Sequence, residues 1–264
     1  SGIGQGHEEA DRSRVGQVKI FLGHTSSHKI LARLETLGWG RFWCYHNQFN
    51  PFPGEQWGLD NGAYAAWQND TPWDAAAFID KAQRAAEMDG CVLAVLPDMV
   101  GQGERSLDFS LEWLAKLPKL PWYLAVQDGM ELQPLWGRLL DNLDGIDGLF
   151  LGGTKRFKLT AMNWRMTADM MGKRLHYARC STPAVLQHAM NCNVDSVDSS
   201  FPLWTKERLA IFEKVISGEA PQMQLAEEWG YRNDPSLLFN SKQTLAEERA
   251  SGKRNPLRKD SRSV

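Results

Sequence analysis

Carboxylates and amides close one apolar run after another along this chain. WGLDN (57–61) ends at Asp60-Asn61-Gly62, CVLAVLPD (91–98) at Pro97-Asp98, and WYLAVQD (122–128) at Gln127-Asp128-Gly129. VDSVDSS (194–200) carries Asp195 and Asp198, while GLFLGG (148–153) ends in Gly152-Gly153. The glycine pair leaves backbone N–H groups open to a ligand. One acid after a strand commonly caps a helix or braces a loop. Acids and an amide at several successive strand ends would each need a satisfied niche of their own, and buried charge without one is costly. Such a set marks an active site, where carboxylates serve as nucleophiles or as proton donors and acceptors. GHTSSHK (23–29) is weighed beside it. His24 and His28 stand four apart, but no Glu lies between them and Ser26 or Ser27 is placed as a helix N-cap. Phosphate contact from Thr25, Ser26 and the helix start is the better reading there, and no metal site is assigned.

Eight short apolar runs must position these groups: VKIFL (18–22), RFWCYH (41–46), RLHYARC (174–180) and the five named above. Between them HKILARLETLGW, WDAAAFIDKAQRAAEMDG, SLDFSLEWLAKL, LQPLWGRLLDNL and TPAVLQHAMNCN place apolar residues at helical spacing. Strands alternating with helices predict parallel strands joined by crossovers, and eight of them predict an α/β fold, a single (β/α)8 TIM-like barrel. In such a barrel the C-terminal strand ends share one mouth, where catalytic groups gather. The link NQFNPFPGEQ carries no helix pattern and is the weakest joint, so a doubly wound open sheet is the alternative. TKERLAIFEKVI (205–216) adds a helix. The domain reading is a disordered segment over 1–17, the catalytic barrel over 18–217, and a C-terminal extension with a basic tail over 218–264. That tail sets Arg249, Lys253, Arg254, Arg258, Lys259 and Arg262 against Asp260 alone. It reads as a solvated end or as an arm that meets phosphates.

Composition narrows the class. Thirty basic and 32 acidic residues leave a net charge of −2 in 264 residues, so no global field draws the chain to nucleic acid or membrane. Cys44, Cys91, Cys180 and Cys192 form no CxxC pair and read as reduced thiols. No run reaches membrane-span length and no signal-peptide core is present, which predicts a cytoplasmic protein, in the host cytoplasm if viral.

LDNGAY (59–64), PD (97–98), AVQDG (125–129), LGG (151–153), STP (181–183) and DSVDSSFP (195–202) follow one another in this order. The ordered set resembles the blocks of the tRNA-guanine transglycosylase superfamily, especially its shorter phage and bacterial branch that places 7-deazaguanines in DNA (DpdA-type). The likeness runs from about Val18 to Trp204. It implies a base-exchange transglycosylase, a pentosyltransferase that replaces guanine in DNA with a preQ0- or preQ1-like base through a covalent aspartyl–glycosyl intermediate. By resemblance Asp198 is the nucleophile and Asp60 the acid–base carboxylate. Tyr64 is the aromatic that stacks on the base. Asp98 and Gln127 read the purine edge, Gly152 and Gly153 approach the same ring, and Tyr177 and Arg179 complete the pocket wall. Retention of sugar configuration through two inversions supports a carboxylate nucleophile independently. Asp195 falls on the opposite strand face and reads as a structural acceptor.

Two departures shape the expectation. The family's CxCxxC-plus-His zinc site has no counterpart after Cys192, so no cofactor is expected beyond the free deazapurine co-substrate. The RNA-binding domain added in archaeal relatives finds no room, which favours DNA as partner. Lys155, Arg156 and Lys158 in LGGTKRFK are expected to meet its phosphates. The same exchange on tRNA, and a barrel that binds nucleic acid or a purine without turnover, are the competing readings.

Overall fold

The computed structural model describes residues 18–221, so the expectations for 1–17 and for the basic tail lie outside the described residues. Eight strands appear where the apolar runs predict them: β1 (Lys19–Gly23), β2 (Gly40–Cys44), β3 (Trp57–Asp60), β4 (Cys91–Val95), β5 (Trp122–Val126), β6 (Gly148–Leu151), β7 (Arg174–Tyr177) and β8 (Ser196–Ser199). All neighbours pair in parallel, and β8 returns to β1 with Ile20 opposite Val197 and Phe21 opposite Asp198. The protein is a closed (β/α)8 barrel, and the open-sheet alternative is excluded by that last pairing.

The helices are α1 (His28–Leu37), α2 (Ala63–Gln68), α3 (Ala75–Ala86), α4 (Glu104–Leu114), α5 (Leu135–Asp141), α6 (Lys155–Lys158), α7 (Ala161–Met170), α8 (Pro183–Asn191) and α9 (Lys206–Ile216). Local chemistry starts several of them. Asp74, Thr154, Thr182 and Thr205 each accept a backbone N–H of the first turn. None of the described helices is long and apolar enough to cross a membrane.

Alternation along the strands divides two apolar regions. Phe21, Phe42, Leu93, Val95, Tyr123 and Ala125 fill the barrel. Ile20, Leu22, Trp43, Leu59, Ala94, Leu124, Leu149, Leu175 and Val197 join the larger core shared with the helices. Gly58 makes room for the Phe42 ring, since a Cβ there would meet its Cδ2 at 2.5 Å.

The β2–β3 link contains no helix, and one ion pair organises it instead. Arg41, 1% exposed, donates from Nε to Glu55 Oε1 at 2.8 Å and from Nη2 to Glu55 Oε2 at 2.5 Å. Its Nη2 also reaches the Asn50 carbonyl at 2.9 Å, and its guanidinium lies 4.2 Å from the Trp43 ring centroid. Glu55 Oε2 takes the Phe52 N–H as well, so the loop is folded around a charge pair rather than around an apolar stripe. Removing one partner strands a buried charge. Glu55→Ala is therefore expected to lower unfolding free energy by about 3–5 kcal/mol in denaturant titrations. A loss under about 1 kcal/mol would mean that the pair does not hold the link.

Candidate active site

Three carboxylates from three strand ends meet at the C-terminal mouth of the barrel. Asp198 sits on β8, Asp60 ends β3, and Asp98 follows β4 through Leu96 and Pro97. All three line one cavity of about 170 Å³, with Tyr64, Phe150 and Arg179 among its other walls. That is below the roughly 300–1,000 Å³ usual for drug-sized ligands and suits a single ring system.

Asp198 is the most firmly fixed of the three. Its Oδ1 accepts from His176 Nε2 at 2.9 Å and from the Arg179 N–H at 2.9 Å. Among the described residues Oδ2 has no hydrogen-bond partner, which leaves that oxygen free to react. His176 is fully buried, and its Nδ1 meets Ser196 Oγ at 2.8 Å. Its ring is stacked on Phe150 at 4.9 Å and Phe42 at 5.6 Å, so the imidazole cannot swing away. Burial by itself would raise the Asp198 carboxyl. The His176 hydrogen bond and charge, the Arg179 N–H and the Lys158 charge outweigh it and hold the group below the usual aspartate range.

The other two carboxylates move the opposite way. Burial pushes Asp60 up to about 7, with the charges of Asp198 and Asp98 adding to it and the Gly62 N–H and Arg179 opposing. Burial likewise lifts Asp98 to about 6, against the pull of the Asn61 amide and Arg179. Asn61 Nδ2 donates to Asp98 Oδ1 at 2.8 Å and to the Leu96 carbonyl at 2.6 Å, and its Oδ1 takes the Ala63 N–H. One ionised carboxylate beside two that titrate near neutrality separates an electron-pair donor from a proton carrier.

Arg179 spans the mouth. Its φ of 54° is a conformation few side-chain-bearing residues adopt, and it turns the N–H onto Asp198. The guanidinium lies 3.9 Å from the centroid of the half-exposed Tyr64 ring and donates to the Gly153 carbonyl at 3.0 Å. Gly153, at φ 71°, has no space for a side chain, because a Cβ would meet Asp128 Oδ2 at 2.6 Å. Asp128 itself accepts from the Thr154 N–H and hydroxyl and so braces the start of α6.

Four sequence expectations are corrected. Tyr177 is buried in the outer core against Lys158 and His188, because strand alternation turns His176 into the barrel and Tyr177 out of it. Lys158 is 4% exposed, its amine bound to the Ala178 carbonyl and lowered by burial to about 7, so it cannot reach a nucleic-acid phosphate. Gln127 lines the cavity, but its amide is already engaged. Nε2 donates to Ser106 Oγ and the Met99 carbonyl, and Oε1 takes the Gly101 N–H at 2.5 Å. The Gly152 N–H is likewise occupied by the Val126 carbonyl and is not open to a ligand.

Asp60, Tyr64, Asp98, Gly152, Gly153, Arg179 and Asp198 do come together around the cavity. Lys155 is exposed and Arg156 half-buried in α6, just after β6. Thr25 and Ser26 follow β1, where Thr25 Oγ1 accepts the Ser27 N–H. Asp195 lies before β8 and takes Arg165 Nη1 and the Leu175 N–H, the structural part expected of it. His176 and Asn61 are the functional side chains that sequence reasoning passed over. The signal for His176 was its alternation with Leu175 and Tyr177, which places only every second residue in the barrel.

The raised Asp60 carries a stability signature. Between its ordinary 3.8 and about 7, an unfolded chain has released this proton while the folded protein keeps it. Rising pH therefore favours unfolding across that window, by up to about 1.4 kcal/mol per pH unit from this group. Asp60→Asn is expected to match wild type in denaturant stability near pH 4 and to exceed it increasingly towards pH 7. An unchanged difference over that range would show that Asp60 titrates normally.

No family model matches the chain, and no curated protein matches it. Among solved structures it is similar to a chain of the Amycolatopsis orientalis BexX/CysO complex, at 10% identity and a TM-score of 0.44, covering 78% of this chain and 94% of that one. It is also similar to a chain of a cube-shaped, highly porous protein cage designed by fusing symmetric oligomeric domains. There the identity is 11% and the TM-score 0.40, over 89% of this chain and 82% of the other. Likeness at this level bears on neither the chemistry nor the partners of this chain.

Proposed function

We propose that this barrel is a base-exchange transglycosylase that replaces a guanine-type base in DNA with a free 7-deazaguanine. The observation that carries the reading is the division of labour among carboxylates around one ring-sized cavity: Asp198 held ionised, Asp60 raised to about 7. In the first step Asp198 Oδ2 attacks C1′ of the target nucleotide, the C1′–N bond breaks, and its electron pair leaves with the guanine. Protonated Asp60 supplies the proton that the departing base takes up. In the second step the incoming base attacks C1′ and gives its ring proton to Asp60, while the ester C–O bond breaks and restores the Asp198 carboxylate. A group that titrates near 7 can serve in both directions at neutral pH.

Asp98, held by Asn61, accepts from the N1–H and 2-amino group of a guanine-like ring. Tyr64 beneath the Arg179 guanidinium offers the stacking wall, and Gln127 acts indirectly by fixing the Met99–Gly101 loop. The target base must be flipped or single-stranded, at roughly a few kcal/mol. Lys155, Arg156, Thr25 and Ser26, which follow strands at the same pole, are the proposed phosphate contacts. DNA is proposed over tRNA because the ordered sequence blocks resemble the DNA-modifying branch.

Incubating the protein with labelled guanine and either DNA or tRNA tests the assignment. Wild type should place label in DNA, and Asp198→Ala should place none. Tyr64→Ala should weaken binding of the free base by about 1–3 kcal/mol. Label appearing only in tRNA would refute the DNA substrate, and label in neither would refute the exchange reaction itself.

A further inference from the structure

A larger cavity, about 450 Å³, opens at the opposite pole of the barrel, where the strands begin. Lys19, Arg174 and Ser196 are the first residues of β1, β7 and β8. Strand β8 pairs with both neighbours at Ser196, opposite Lys19 on one side and His176 on the other. Lys19 alternates with Phe21 and Arg174 with His176, so both cations face the barrel end from strands either side of Ser196. Phe21, Leu93 and Tyr123, the lowest layer of the barrel filling, make the floor.

The charges in this cavity do not cancel. Two carboxylates line it, and one arginine holds both. Arg165 binds Asp169 through Nε at 3.1 Å and Nη2 at 2.9 Å, and Asp195 through Nη1 at 2.5 Å. Lys173 is turned to the Ile146 carbonyl at 2.7 Å. Lys19 has no side-chain hydrogen bond or ion pair among the described residues. Arg174 lies beside the Tyr123 hydroxyl and favours its ionised form, against burial and the charges of Asp195 and Asp147. Partial burial and the neighbouring Arg174 charge both depress the Lys19 amine. The polar groups that line the space are thus mainly donors: an ammonium, a guanidinium and the Tyr123 hydroxyl.

We propose that this cavity binds a phosphate group, as the free ion or on a small ester, between Lys19 and Arg174. Three or more donors around one dianion match the recognition chemistry of phosphate, and the guanidinium edge supplies the planar fork. An ester would rest its organic part on Phe21, Leu93 and Tyr123. The site is independent of the exchange reaction, being separated from the Asp198 mouth by the stacked Phe42, His176 and Phe150 layer.

The test is calorimetric titration of the full chain with inorganic phosphate and, separately, with a nucleoside monophosphate. Lys19→Gln and Arg174→Gln serve as variants, and Lys116→Gln, an exposed lysine outside the cavity lining, as the control. Saturable binding of either probe that falls about tenfold or more in both cation variants, but not in the control, is the expected result. Tighter binding of the ester than of inorganic phosphate would show that the apolar floor takes part, and equal binding that the free ion suffices. Both cations are exposed side chains, and circular dichroism of the variants checks that folding is intact. Absence of saturable binding of both probes up to about 10 mM would overturn the proposal. Binding that both variants leave unchanged, or that the control loses equally, would do so too.

Discussion

The hydrogen bond from His176 to Asp198 is the contact around which the rest of the mouth is arranged. It lies where the barrel filling changes character, from the aromatic layer of Phe21, Phe42 and Phe150 to the carboxylates above. A buried aspartate in such a place would ordinarily take up a proton to escape desolvation. The imidazole, fixed by Ser196 below and by two stacked rings at its sides, removes that option without contributing a mobile group. Asp60 is raised chiefly by its own burial, and the charge of ionised Asp198 adds to that rise.

Around this pair the loops act as braces more than as ligand-binding arms. Asn61 clamps Asp98, Asp128 clamps the start of α6, and Gln127 clamps the Met99–Gly101 loop. Each uses hydrogen bonds that the sequence alone would credit to a substrate. Behind the mouth, Arg41 and Glu55 hold the one crossover that lacks a helix. The rigidity that the proposed reaction needs is supplied by these polar clamps, with strands carrying the proposed reactive groups themselves.

Most of the fold was legible because its signals are local. Runs such as CVLAV and WYLAV, separated by amphipathic helices, leave few architectures open, and Asp60, Asp98 and Asp198 reach the mouth simply by ending strands. What was not legible depends on direction. Tyr177 and His176 are neighbours in one short strand, and only the pairing with β8 decides which of them enters the barrel. Lys158 looks like a surface lysine until the single turn of α6 tucks it beneath Ala178. Helix α7 escaped recognition because Met162, Met166 and Met170 stay exposed while Trp164 and Ala168 are buried, so its apolar residues surround the axis. The likeness in sequence blocks supplied roles for the strand-end acids, and the structure gathers those acids around one cavity while making Gln127 a brace.

The central claim is that Asp198, held by His176, forms a bond to the sugar during base exchange. The most direct measurement is mass spectrometry of the denatured adduct after reaction with guanine-containing DNA, followed by trypsin digestion. Cleavage after Arg179 and Lys206 releases one peptide holding both Asp195 and Asp198. The account predicts the sugar on that peptide, with fragment ions placing it on Asp198. An adduct on Asp60, Asp98 or Asp195, or exchange that proceeds in the Asp198→Ala protein, would contradict it.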